Sequence, residues 1–333
     1  MTIGLGVLCE SGKCIVMAAD TRGTFPDELR IAAHEQIGKQ FDLPRRFGCN
    51  IAGDSGLCWG VNSELHQQME SLPEEFGPDH IRNAIREAQF YELTNLANYA
   101  LKRHLGITVG EWKSETLPAW LREQGKKIIN TTTLPMQIAV GGFCSNGAAL
   151  WQADFANPPD IREWSAIGSG SPAAVDALCR SKTEVHITLQ RAVFSVTLAL
   201  RAARRHAKKM NPNNPDIGRP ADYVVITPKY FRRLPAQHPD LLKMMRKYSN
   251  KTLDDLDRDD DARLALLRAM YFPGTTQMEY ALGLRRPVFD KFVWRGKGIH
   301  CDGETLRILS GTSLNVAASL QNLQPGALEL EPN

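Results

Sequence analysis

The chain opens Met1-Thr2, and an initiator methionine is usually trimmed when a small residue follows it. A threonine left at the N-terminus carries a nucleophile and a base on one residue. Its hydroxyl attacks and its own α-amine takes the proton. A free α-amine titrates at roughly 7.7–8.0, close to the pH at which a general base works well. A threonine hydroxyl paired with its own amine is a recognised activated nucleophile for amide cleavage. Many chains begin this way, so the motif needs support elsewhere. Three segments carry it: IVMAADTRGT at 15–24, KQFDLPRRFGCNIAG at 39–53 and AIGSGS at 166–171.

Other chemistry-bearing patterns carry less. Gly4-x-Gly6 has the look of a dinucleotide loop, but a second strand follows it where a helix is required. The acidic run from Asp254 to Asp261 lacks the central glycine and terminal glutamate of a calcium loop and reads as a solvated loop. The basic stretch Arg201 to Lys209 sits at a helix C-terminus, where positive charge complements the dipole. In TTQMEYALGLRRPVFDKFV, at 275–293, the Glu279-to-Gly283 spacing puts a bulky residue where a helix-turn-helix wants a small one. The seven cysteines are scattered, odd in number and without a CxxC pair, which argues against a disulfide framework or zinc site.

The elements that must position these residues can be read from periodicity. Residues 2–9 and 13–19 are apolar runs joined by Glu10, Ser11 and Gly12, a hairpin signal. Residues 21–37 read as an irregular excursion, and 39–43 and 47–52 as a strand pair around Pro44-Arg45-Arg46. Helical spacing follows near 55–71 and from about 79 to 105. Residues 106–134 look like a mixed insertion, with strands again at 136–142 and 147–152. Helices are expected near 172–180 and over 184–209, and the Asn211 to Pro220 stretch is a break before a strand at 222–227. Beyond Pro228 the pattern turns helical near 239–248 and 261–271, with a strand TLRIL at 305–309. Strand pairs, helices, strand pairs, helices and a last strand make an α+β class.

With 333 residues the chain can bury a full-sized core. Its 43% hydrophobic and 23% charged content is ordinary for a globular protein. A net charge of +3 points to neither a nucleic-acid nor a membrane partner. The opening lacks a basic n-region and does not read as a signal peptide, and no apolar run spans a bilayer. The expected setting is cytoplasmic.

On the three segments above, residues 1–228 resemble the proteasome β-type subunits, in particular the bacterial branch that includes the peptidase subunit of the two-component ATP-dependent protease and the ancestral β-subunit proteins. That resemblance implies an Ntn-hydrolase fold, a four-layer αββα sandwich, with 229–333 as a C-terminal extension of mixed, partly helical character that modifies assembly or access to the site. It assigns Thr2 as nucleophile, Lys39 as the cation near its hydroxyl and amine, and Asp20 as the carboxylate orienting Lys39. Ser169 holds the amine and relays protons. Gly53 offers its backbone N–H to the oxyanion, where one donor is typically worth ~3–4 kcal/mol, and Thr24 binds substrate backbone. A second acid falls on Asn214 or Asp216. On the residues alone, Asp20 and Lys39 equally suit a structural ion pair, Gly168 to Gly170 a strand-to-helix turn with Ser171 as cap, and Gly53 a position chosen for backbone freedom.

Thr2 to Asp20 is two residues longer than the usual separation in that family. An even increment preserves facing in a hairpin, whereas an odd one would invert it. The implied function is a threonine-type hydrolase of peptide or amide bonds, a self-compartmentalising homo-oligomer acting on peptide or protein substrates, with an unfoldase or accessory partner and no metal or organic cofactor. Two alternatives stand beside it: an inactive proteasome-like scaffold, and a small-molecule amidase on the same fold.

Overall fold

Both strands of the opening hairpin are buried along their whole length, which explains why they read as continuous apolar runs without alternation. β1 (Gly4–Cys9) and β2 (Cys14–Asp20) pair antiparallel from Gly4 opposite Ala19 to Cys9 opposite Cys14. The link between them is a 3-10 turn, Glu10–Gly12, with positive φ at Glu10, Ser11 and Gly12. The computed structural model describes residues 3–20, 40–114, 116–154, 157–210, 220–236, 238–248 and 253–271. The expected excursion at 21–37, the pattern at 275–293 and the strand at 305–309 lie outside them.

β3 (Gln40–Leu43) and β4 (Phe47–Ala52) form the second hairpin. α1 (Ser55–Glu70) starts at Asp54, whose carboxylate accepts from the N–H groups of Gly56 and Leu57. α2 (Pro78–Leu105) has proline at its first position and stops at Gly106 with φ 72°, a left-handed C-terminal residue. The 106–134 stretch, expected to be mixed, holds two helices: α3 (Val109–Trp112), capped reciprocally by Thr108 and Glu111, and α4 (Ala119–Thr131). β5 (Gln137–Cys144) and β6 (Gly147–Asp154) follow, then the short β7 (Asp160–Ile161) and β8 (Trp164–Ile167). α5 (Ser171–Arg180) and α6 (Leu189–Met210) precede β9 (Pro220–Ile226) and β10 (Phe231–Pro235). α7 (Pro239–Lys247), α8 (Leu253–Asp257) and α9 (Asp260–Tyr271) end the described chain.

The class is mixed α+β, and the described residues form two antiparallel five-stranded sheets, ordered β10-β9-β2-β1-β8 and β3-β4-β5-β6-β7. Three apolar clusters organise them. Leu8, Ile15, Met17, Val224 and Ile226 of the first sheet meet Leu150 of the second. On the other face of the first sheet, Leu5, Val7 and Val16 pack with Leu178 of α5 and Val193, Val196 and Leu200 of α6. On the other face of the second, Phe47, Ile51, Val140 and Trp151 pack with Val61 and Leu65 of α1 and Ile81 and Ile85 of α2. Each such side chain contributes ~1.5–3 kcal/mol when fully buried.

The boundary expected after residue 228 falls between β9 and its hairpin partner β10. Leu234, Leu241, Met244, Leu256 and Leu266 share one cluster with β1 and α6. The acidic run expected as a solvated loop contains α8 and the start of α9, and it is tied to α6. Arg191 donates to Asp257 (2.7 Å), Asp254 (3.2 Å) and Ser181 O (3.1 Å), and the Thr188 hydroxyl donates to Asp257 (2.6 Å). Glu10 closes the same region: its carboxylate accepts from Leu189 N–H at 2.7 Å and pairs with Arg263. Burial pushes the Glu10 carboxyl above its ordinary value, and the Arg263 guanidinium opposes that shift.

Candidate active site

Hydrogen bonding carries the β1–β2 hairpin one step past Gly4. The Asp20 N–H donates to Ile3 O at 3.0 Å, and the Ile3 N–H donates to Asp20 Oδ1 at 2.9 Å. The buried carboxylate therefore holds the backbone nitrogen bonded to Thr2. Pairing from Ile3 to Cys9 runs without a slip up to the Glu10–Lys13 link.

β1 is flanked on its other side by β8, with Gly4 opposite Ile167. The chain leaves β8 through Gly168, with φ 92°, then Ser169 and Gly170. Ser171 N–H donates to Gly168 O at 3.0 Å and α5 begins there. Gly170 is the residue capping this helix, and no side chain caps it, so Ser171 does not take the capping role its type suggests. Ser169 is exposed on this turn.

Gly53 ends β4 on the second sheet and is exposed. A Cβ here would lie 2.9 Å from both Pro135 O and Met136 Cβ, and φ is +158°. A backbone oxygen cannot swing away as a side chain does, so the close approach requires glycine. Ala52, just before it, pairs with Gln137 of β5. The Gln137 Oε1 accepts from Gly168 N–H at 2.6 Å, which ties the glycine turn of the first sheet to the strand end beside Gly53.

Asp20, Ser169 and Gly53 thus sit at the ends of strands that meet on one side of the facing sheets: the start of β1, the ends of β2, β8 and β4, and the start of β5. Thr2, Thr24, Lys39, Asn214 and Asp216 lie outside the described residues. Two residues in this region were not singled out by their sequence. Gln137 is one. Asn50, fully buried in β4, is the other: its Nδ2 donates to Leu5 O (2.9 Å) and Ala18 O (3.2 Å). The available signal was an amide inside an apolar run, in FGCNIA and MQIAVGG.

Thiol chemistry is disfavoured at the sheets. Burial pushes the Cys49 thiol well up, with Cys58 adding to it, and burial together with Cys14 does the same for Cys9. Neither forms a thiolate at ordinary pH. Among the described residues no group of three or more His, Cys, Asp or Glu side chains is arranged to hold a metal ion, and no helix is long and apolar enough to cross a membrane. No protein-family model matches the chain, and no curated protein is significantly similar to it.

Proposed function

We propose that the protein is a threonine-type N-terminal nucleophile hydrolase that cleaves peptide or amide bonds, with Thr2 as nucleophile once the chain is cut before it. The observation that carries this reading is the pair of hydrogen bonds between Asp20 and Ile3. They fix a buried carboxylate one residue from Thr2, at the strand end shared with the Gly168–Ser169 turn. The four-layer αββα arrangement is part of the proposal. It is supported by helices α5 and α6 packing on the first sheet, α1 and α2 on the second, and the Met17–Leu150 cluster between sheets.

In this mechanism the Thr2 hydroxyl adds to the substrate carbonyl while its proton passes to the α-amine. The oxyanion takes the Gly53 N–H. Collapse breaks the C–N bond, the protonated amine supplies the leaving group's proton, and an ester remains on Thr2. Water, deprotonated by the same amine, then releases the acid. Lys39 lowers the cost of the developing charge, Asp20 orients it, Ser169 relays protons and Thr24 holds substrate backbone. The substrate class is peptide or protein, handled by a cytoplasmic homo-oligomer. The test is hydrolysis of fluorogenic peptides and of small amides by protein whose N-terminus has been sequenced. Turnover of peptides that vanishes in Thr2→Ala supports the reading. Turnover that survives Thr2→Ala, or none from protein beginning at Thr2, contradicts it.

A further inference from the structure

We propose that Gln137 and Asn50 are positioning residues that hold the Asp20 and Ser169 ends of the first sheet in line with Gly53 on the second. This rests on the threonine-nucleophile reading above.

In the β4–β5 register Ala52 stands opposite Gln137 and Asn50 opposite Ala139. Cross-strand partners share a face, as do residues two apart in a strand. Ala52 and Ala139 pack on Ile167, so all four residues face the first sheet. The alanines let the sheets approach closely. A Cβ on Gly4 would lie 2.9 Å from Asn50 Cβ, so β1 passes directly over the amide. Asn50 reaches across to Leu5 O and Ala18 O, near the start of β1 and the end of β2. Gln137 reaches across to the N–H of Gly168, next to Ser169.

Apolar contact between sheets is non-directional and leaves small sliding movements cheap. Hydrogen bonds impose distance and angle. A nucleophile on one sheet and an oxyanion donor on the other need that directionality, because a ~1 Å misplacement costs up to ~10²-fold in rate. Core packing does not account for Asn50. Its Oδ1 is buried with no partner among the described residues, a penalty of ~1–3 kcal/mol that leucine or valine would avoid. The contacts made by its Nδ2 explain the residue.

The test uses the full chain and a β-lactone, a strained ester that acylates a threonine hydroxyl. Gln137→Met keeps the stem and removes the acceptor, and Gln137→Glu keeps the acceptor. Two quantities are read: the rate of Thr2 acylation and hydrogen exchange at the Gly168 amide. The expected result for Gln137→Met is acylation slowed by about tenfold or more, well below its melting temperature, with faster Gly168 exchange. Gln137→Glu recovers most of both. Asn50→Leu also slows acylation while remaining folded. A Gln137→Met variant that loses melting temperature but acylates at the wild-type rate, or one whose Gly168 exchange is unchanged, overturns the proposal. Wild-type protein that starts at Thr2 and takes up no lactone defeats the threonine reading itself. Gly168 exchange then decides the strut separately: acceleration in Gln137→Met, reversed in Gln137→Glu, upholds the tether, and no change refutes it.

Discussion

Asp20 meets the backbone of Ile3 through both its own N–H and its carboxylate, so its side chain is fixed by the strand end. Asparagine at this position keeps an oxygen for the Ile3 N–H but removes the charge. Asp20→Asn is therefore expected to lower peptide turnover by about a hundredfold or more while leaving the melting temperature within a few degrees. Steady-state kinetics beside a thermal melt separate the two effects. Tyr223 gives a purely structural prediction. Thr197 directs its single hydroxyl proton to Val193 O at 2.7 Å, so the Tyr223 hydroxyl is the donor in its 2.6 Å contact with Thr197 Oγ1. Burial pushes the Tyr223 hydroxyl up to about 12. A raised acid binds its proton more tightly in the folded state, so folding stability should fall as pH rises from ~10, the ordinary tyrosine value, towards the folded value. Tyr223→Phe should remove this residue's share of the alkaline slope, making it shallower, and cost ~1 kcal/mol at neutral pH. Urea melts across the alkaline range check both.

At the level of elements, the two sheets depend on glycines where a side chain would intrude. A Cβ at Gly142 would lie 2.2–2.4 Å from the ring carbons of fully buried Phe47. Gly142→Ala is expected to destabilise by ~1–3 kcal/mol through overpacking, with turnover per folded molecule unchanged, as denaturant titration and active-site counting would establish. Much of this layer was legible in the sequence. The hairpins at 4–20 and 40–52, the strands β5 and β6, and helices α1, α2 and α6 follow apolar runs or helical spacing closely. The elements that escaped have physical reasons. β7 is an exposed pair of residues, and β10 is an outermost strand, FRRLP, whose arginines and proline suit an edge and read as loop. α4 contains Gly125 mid-helix, and the glycine is explained by the Trp112 ring, 2.3 Å from where a Cβ would sit. Asp20, Gly53 and Ser169 could be picked out by motif. Asn50 and Gln137 could not, because their importance lies in which backbone groups they meet across the sheets.

For the whole molecule, β10 and helices α7, α8 and α9 are continuous with the rest. β10 extends the first sheet, and the Arg191–Asp257 and Glu10–Arg263 pairs lock α8 and α9 to α6 and the opening hairpin. Truncation after Pro228 would uncover the face of α6 that shares a cluster with Leu234, Leu241, Leu256 and Leu266, and would remove the carboxylates to which Arg191 donates. Each large apolar side chain left in water forfeits ~1.5–3 kcal/mol, so the truncated chain should fail to give a cooperative thermal transition by circular dichroism. The central claim concerns chemistry at one atom, and the most direct test is intact mass after incubation with a peptide β-lactone. Attack by the Thr2 hydroxyl opens the ring and adds the whole reagent mass as an ester. Protein shown by sequencing to begin at Thr2 should gain one equivalent, mapped to that residue and absent in Thr2→Ala. No adduct on such protein, or an adduct that persists in Thr2→Ala, would contradict the account.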